Sequence, residues 1–505
     1  MRNSRLRTAV ISAAVLVAGA VAAAADDAPV PAAPKPDAAR VDEARRRAAE
    51  LAAKDDFAGA LDVLKAAAKA LGPAAALSAA EGRVFYLRAQ FENANGTDGM
   101  LVRALFADAA IREKRALELD PEFAEAVQIL ATVLAADGDA EGARSALTTW
   151  IEKHPQDSAV RRSLGDIYYT ARDWPNADRE YTKCLEIDPA DGLAKLNQTV
   201  ARQWMGIPAE ELEKGYLAAA HLLPDEDRPL SLLTGLHPKD REKRLELLGA
   251  VVADNPKAVW ARVWIAYILR KEEPVDAEKA LATLRDAERI APDNSQVHSQ
   301  LAQLLKDTGT AAQALEEYTL AVEKGAPGAT VAESNAIDEI LHAETKIPLS
   351  ARERGYDAVV AKNPHDGRYG NNAGLWFRDA GKEYRKSLKY YLAAVKAAPD
   401  EQDFVNDAAL IYLFHVTDRK DACLPMFEHV VELVEKDRQP PSRGYWDTLE
   451  NLCKYWFEKG EYEKVVACAD KRASPKATMN GQPYPSMKAA LYRAQALAKL
   501  DKNRK

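Results

Sequence analysis

The chain has 505 residues, with 69 Lys and Arg against 77 Asp and Glu, a formal charge of −8. That charge is spread along the chain with no basic stripe to neutralise a phosphate backbone, which argues against nucleic acid as a partner. Ala, Leu, Glu, Lys and Arg dominate and prolines recur along the sequence, a composition of short helices separated by tight turns that predicts an all-α protein.

At the N-terminus Arg2, Arg5 and Arg7 precede an apolar run from Thr8 to Ala25, and Ala23-Ala24-Ala25 offers small residues for cleavage. Residues 1–25 are therefore expected to be a signal peptide, leaving a periplasmic or extracellular product; an uncleaved anchor helix is the alternative. Residues 26–39, with Pro29, Pro31, Pro34 and Pro36, form an expected extended linker.

The helical pattern then starts. Val41–Ala74 carries Ala60, Leu64 and Ala67 on a second-helix stripe, after a first helix, Glu43–Lys54, whose polar, Ala-rich character suits a terminal repeat. Ala76–Pro121 is a stretched pair, with Phe85, Leu87 and Phe91 on its first helix, a loop at Asn95–Gly99 and a second helix to Leu119. Ala124–Asp157 places Leu130, Leu134, Ala143, Leu147 and Pro155 in register.

Ser158–Asp191 is the clearest unit. Leu164, Ile167 and Tyr168 fall on one face of a first helix; Ala177, Tyr181, Cys184 and Leu185 fall on one face of a second. Gly165 and Ala177 allow close approach, and Pro189 stops the second helix. Leu164, Gly165, Tyr168, Ala177, Tyr181 and Pro189 stand at the offsets of the tetratricopeptide repeat (TPR), and the chain resembles that family here. The resemblance implies a right-handed superhelical solenoid of stacked helix-turn-helix repeats, since one pair cannot bury its stripes alone.

After Asp191 the pattern weakens. Leu193–Glu226 keeps Tyr216, Ala219 and Pro224 but lacks a Leu-Gly pair, and Asp225–Pro238 is rich in charge and proline. The stretch reads as an irregular turn or partial repeat, or as a boundary between an N-terminal array at 40–226 and a C-terminal array at 227–500, continuous with the first or hinged to it. Phase returns in Ala258–Pro292 and Ser295–Gly328, and further units follow at Val331–Pro364, Asp366–Pro399, Gln402–Pro440 and Trp446–Pro475. Tyr484–Leu500 reads as a closing helix and 501–505 as a charged tail. About twelve units result.

The repeats consume the chain and leave no segment for a catalytic domain, so no catalytic residue, cofactor or metal site is assigned. Gly374–Lys382 has the wrong glycine spacing for a phosphate loop, and His415 and His429 lack ligand partners. Cys184, Cys423, Cys453 and Cys468 sit in apolar helical patterns and are expected to be buried thiols; Cys453 and Cys468, on the two helices of one unit, are the pair to test for a disulfide.

The expected function is a non-catalytic scaffold in the cell envelope that binds a protein or peptide on the concave face lined by first helices. In TPR proteins that clamp a C-terminal carboxylate, basic and asparagine side chains recur on first helices. Here Arg162 holds a basic place, but Asp166 and Gln198 depart from the asparagines. Asn372, Asp407 and Asn451 instead precede the small-residue pair in three consecutive units and predict a polar ladder, with Trp376, Tyr412, Trp446 and Tyr455 beside it as partner-binding aromatics. The alternative function is a carbohydrate-binding accessory of polysaccharide export or degradation, resting on the same aromatics. The membrane enters only through the N-terminal segment.

Overall fold

In a computed structural model the protein is described at residues 37–326, 330–344, 346–436, 438–473, 478–479, 482–483 and 485–503. The expected signal peptide, residues 26–36 of the linker, Pro327 and Pro475 of two repeat boundaries, Tyr484 and the last two residues of the tail lie outside these stretches. Among the described residues the chain is twelve consecutive helix pairs and a closing helix, with a two-residue antiparallel ladder, Thr478–Met479 against Gln482–Pro483, before the last helix. The all-α solenoid of repeats is thus observed.

One unit runs through Pro189 and a second from Ala190. The first contains α1 (Ala38–Ala52) and α2 (Phe57–Leu71), α3 (Ala75–Ala94) and α4 (Gly99–Leu119), α5 (Ala124–Ala136) and α6 (Ala140–Lys153), and α7 (Ser158–Thr170) and α8 (Trp174–Ile187). The second opens with α9 (Gly192–Trp204) and α10 (Ala209–Leu222), then α11 (Arg228–Gly235) and α12 (Arg241–Asp254). It continues with α13 (Val259–Lys271) and α14 (Ala277–Ile290), α15 (Ser295–Asp307) and α16 (Ala311–Lys324), and α17 (Val331–Ala343) and α18 (Leu349–Lys362). The last pairs are α19 (Gly367–Asp379) and α20 (Tyr384–Ala397), α21 (Gln402–Phe414) and α22 (Cys423–Glu435), and α23 (Arg443–Lys459) and α24 (Tyr462–Arg472), before α25 (Met487–Asn503).

Aspartates set the helix starts. The Asp56, Asp139, Asp157, Asp191, Asp240 and Asp276 carboxylates each accept a backbone N–H two or three residues into the following helix, at 2.8 to 3.0 Å. Each such cap stabilises its helix by about 1 kcal/mol. The Asp157 and Asp191 caps lie one repeat apart, and α7 and α9 accordingly begin at Ser158 and Gly192.

Within a pair, one crossing point repeats. Gly165 of α7 faces the ring of Tyr181 on α8; a Cβ at Gly165 would lie 2.7 Å from Tyr181 Cε1. Gly374 of α19 faces Tyr391 of α20 in the same way, at 2.6 Å. A bare backbone on the first helix leaves room for one large side chain from the second, and Leu164, Gly165, Ala177 and Tyr181 are all buried around it.

The pattern that fades at Leu193–Glu226 does so because this pair inverts the arrangement. Thr199 occupies the place of Gly165, and Gly215 that of Tyr181; a Cβ on Gly215 would meet Thr199 Oγ1 at 2.5 Å. The larger residue now sits on the first helix and the glycine on the second, with a threonine in place of the tyrosine ring. Thus α9 and α10 form a full pair, and Asp225–Pro238 contains the eight-residue α11, a shortened first helix to α12. The division between compact units falls between Pro189 and Ala190.

Candidate partner-binding surfaces

The first helices α19, α21 and α23 carry the residues picked out from the sequence. Between them lies a polar cleft of about 580 Å³, lined by Asn371, Arg378, Asp403, Asn406, Asp407, Arg443 and Asp447 among others. Gly444 lets α23 seat directly on α21: a Cβ there would be 2.5 Å from the carbonyl carbon and oxygen of Gln402. The seat is sealed by Ser442 Oγ donating to Asp403 Oδ1 at 3.1 Å, by the Gly444 N–H donating to the same carboxylate, and by Gln402 Nε2 donating to the Pro440 carbonyl at 2.9 Å.

Of the predicted ladder, only Asp407 opens on this cleft. Its carboxyl is desolvated, which pushes its pKa to about 6; Arg378, with Nη1 at 3.8 Å, pulls the other way, and Asp403 raises it further. Arg378 is itself held by Asp379, at 2.6 and 3.0 Å. Asn372 turns toward the preceding first helix and donates to Asp338 Oδ2 at 2.8 Å. Asn451 is buried and donates to Asn406 Oδ1 at 3.1 Å, alongside Thr448. The three polar residues therefore tie successive first helices together rather than forming one continuous row.

The aromatics are spent on packing, which corrects their assignment as an exposed surface. Tyr412 lies in a cluster with Leu388, Tyr391 and Phe427; Trp446 packs among Tyr445, Val405 and Val430; Tyr455 is buried and its hydroxyl donates to Asp421 Oδ1 at 3.0 Å. Trp376 is half-buried, with the Arg352 guanidinium 4.0 Å from its ring centroid. Arg352 is fully buried, and its fork donates to the carbonyls of Leu341 and, at 2.6 Å, Glu344, closing the end of α17. The stacked rings and flat faces that a glycan needs are turned inward at Tyr412, Trp446 and Tyr455.

A second surface was missed in the sequence. In the N-terminal unit, α1 and α3 flank a groove of about 1090 Å³ that reaches Glu125 on α5. Its floor is apolar, formed by Ala48, Ala49, Ala52, Phe57, Val84, Leu87 and Phe91. Arg45, Arg46 and Arg83 also line it, and Arg45 bridges to α5 with Nη2 donating to both Glu125 carboxylate oxygens, at 2.8 and 2.6 Å. Behind α3, Glu113 of α4 fills the space against Gly82 that Tyr181 fills against Gly165. This carboxyl is fully buried and neither oxygen has a hydrogen-bond partner among the described residues. Burial first, and then Glu125, push its pKa to about 9 against the pull of Arg83, so it is a neutral acid at pH 7. The polar, Ala-rich pattern of α1 marks a water-facing helix, but alanines alone do not announce a groove.

Among the described residues Glu288, His298 and Glu317 come within the spacing of a metal site. Each is already engaged: Arg285 donates to Glu288 at 2.9 Å and Glu317 at 2.6 Å, and the two ring nitrogens of His298 face Glu317 Oε2 and the Pro292 carbonyl, both at 2.8 Å. Both acceptors favour the imidazolium, and the Glu317 bond raises the His298 pKa, so the cluster is closed on itself by a guanidinium. The sequence hides it because its members lie on different helices. Cys423 and Cys453 are buried thiols, as is Cys184, and Cys468 is half-buried. No helix among the described residues is long and apolar enough to cross a membrane.

The Tetratricopeptide repeat family model matches residues 106–167, spanning α4 to the middle of α7. That stretch carries tetratricopeptide repeats. No curated protein matches its sequence. Among solved structures, yeast Tom70 is similar at 12% identity over 92% of this chain and 97% of its own, with a TM-score of 0.26. YrrB, described as a TPR protein with an unusual peptide-binding site, is 17% identical over 35% of this chain and 91% of its own, with a TM-score of 0.23. MamA is 16% identical over 33% and 91%, with a TM-score of 0.24. In the TPR frame α1, α3, α5, α19, α21 and α23 are all first helices, so both surfaces described above lie on first-helix faces.

Proposed function

We propose that this protein is a non-catalytic TPR scaffold of the cell envelope that holds a protein partner on the first-helix face of its N-terminal unit. The observation that carries the reading is the groove along α1 and α3: about 1090 Å³, open, apolar along its floor and lined also by Arg45, Arg46 and Arg83. A concave surface of this size with a few convergent polar groups is where a peptide segment buries its side chains. Envelope location draws on Arg2, Arg5 and Arg7 before the apolar run to Ala25. The C-terminal cleft is the lesser candidate, because its arginine and aspartates already answer one another.

A photo-crosslinking residue at Leu87, in the groove, should capture a partner in intact cells, while the same residue at Lys65 on α2, outside the groove lining, should not. Equal capture at both positions, or none at Leu87, would reject the placement.

A further inference from the structure

In the polar cleft of the second unit, most of the ionic groups are matched within the protein. Arg378 holds Asp379 through two hydrogen bonds, and Arg443 Nε donates to Asp447 at 3.2 Å. Asp403 receives Ser442 and the Gly444 N–H. His415, stacked on Tyr384, is neutral at pH 7, because burial, Arg378 and Lys382 all lower its pKa.

Three groups that line the cleft are left over. Asn406 on α21 is only 3% exposed; its Oδ1 accepts from Thr448 and Asn451, while its Nδ2 donates to nothing among the described residues. A donor on so deeply buried a side chain is costly to leave unmade. Asp407, the next residue, accepts no hydrogen bond among the described residues, and Arg378 Nη1 lies 3.8 Å away, outside hydrogen-bond reach. Lys382, in the turn between α19 and α20, has no acidic side chain within ion-pair distance among the described residues. An unmet amide donor and an unmet carboxylate on α21 therefore share one cleft with an unmatched cation from the end of α19.

We infer that this cleft binds a small zwitterion, a free α-amino acid, with its ammonium on Asp407 and its carboxylate on Asn406 Nδ2 and Lys382. A ligand of one sign would satisfy Asp407 or Lys382 and be repelled by the other, and an uncharged ligand would leave both unanswered. An ammonium brings three donors to a carboxylate that lacks them, and a carboxylate accepts from an amide and an ammonium together. The dimensions suit a small molecule: about 580 Å³, with Leu375 and Leu410 as the aliphatic lining, too little floor for an amphipathic helix. The site belongs to the second unit and makes no use of the N-terminal groove.

The test uses the full chain. A thermal-shift screen of the common amino acids should find at least one that raises the melting temperature. Isothermal titration calorimetry then compares that amino acid with its amide, which keeps only the ammonium, and with its N-acetyl form, which keeps only the carboxylate. Each derivative should bind at least about tenfold more weakly than the parent. Asp407→Asn should weaken the parent by about tenfold and leave the N-acetyl form unchanged, whereas Lys382→Gly should weaken the parent similarly and leave the amide unchanged. Both variants should keep the wild-type circular dichroism spectrum. Asparagine has the shape of Asp407, and Lys382 has φ +55° in a turn position that Gly138, Gly206, Gly309 and Gly460 fill in other pairs. No stabilisation by any amino acid, a derivative that binds as tightly as its parent, or parent affinity unchanged in both variants overturns the inference.

Discussion

Replacing Glu113 with glutamine keeps the shape of the side chain and removes its titration. In the folded unit this carboxyl holds its proton up to about pH 9, against an ordinary value of 4.5. The folded state therefore binds a proton that the unfolded chain releases, so the stability Glu113 contributes is complete below 4.5 and is lost as pH rises toward 9. Each pH unit in that window costs about 1.4 kcal/mol, which accumulates to about 3 kcal/mol by pH 7. Glutamine brings its own cost for an unpaired amide beside Gly82, but that cost does not change with pH. The slope is therefore the readout. Hydrogen exchange in peptides covering α3 and α4, followed through urea at pH 5, 6, 7 and 8, isolates this pair from an array whose repeats can unfold in stages. The wild type should lose stability relative to Glu113→Gln by about 3 to 4 kcal/mol between pH 5 and pH 8. Parallel pH profiles for the two proteins would show that Glu113 has a partner or solvent access, and would refute the reasoning.

Other substitutions test the packing. Gly165→Leu drives a side chain into the Tyr181 ring and should cost on the order of 1–3 kcal/mol by urea denaturation. Gly215→Ala should clash with Thr199, and Thr199→Gly in the same chain should restore much of the loss, giving a coupling energy of about 1 kcal/mol or more in a double-mutant cycle. Gly444→Ala strikes backbone rather than a movable side chain, so it should lower the melting temperature and unseat α23 from α21, seen as faster exchange of the Gly444 region. Burial pushes the thiols of Cys423 and Cys453 to about 12 and that of Cys468 to about 11. A thiol reagent at neutral pH should accordingly leave the native protein nearly unlabelled and label all four cysteines in denaturant; two labelled thiols in denaturant would indicate a Cys453–Cys468 disulfide.

The repeat was legible wherever a crossing is built as Gly165 and Tyr181 are, since that pair leaves a fixed spacing of small and large residues. It was less legible at Thr199 and Gly215, where the same crossing is made with the sizes exchanged between helices, and the register rather than the residue type is what persists. At the candidate site the sequence located the polar positions on α19, α21 and α23 but not their direction. Asn372 and Asn451 look inward because the neighbouring first helices supply Asp338 and Asn406, and Trp446 is buried because α22 and α21 close over it. Such facing partners come from units 34 or more residues away, and no local pattern encodes them. The N-terminal groove escaped notice for the opposite reason: its α1 side is built from Ala48, Ala49 and Ala52, and periodicity does not distinguish such alanines from a solvated helix.

The central claim is that a partner lies on the first-helix face of the N-terminal unit. Hydrogen exchange of the full chain with and without the partner captured at Leu87 addresses it most directly. The account predicts slowed exchange in α1 and α3, extending to the start of α5 near Glu125, with α2, α4 and α6 unchanged. Protection confined to the second helices, or to α19, α21 and α23, would contradict it.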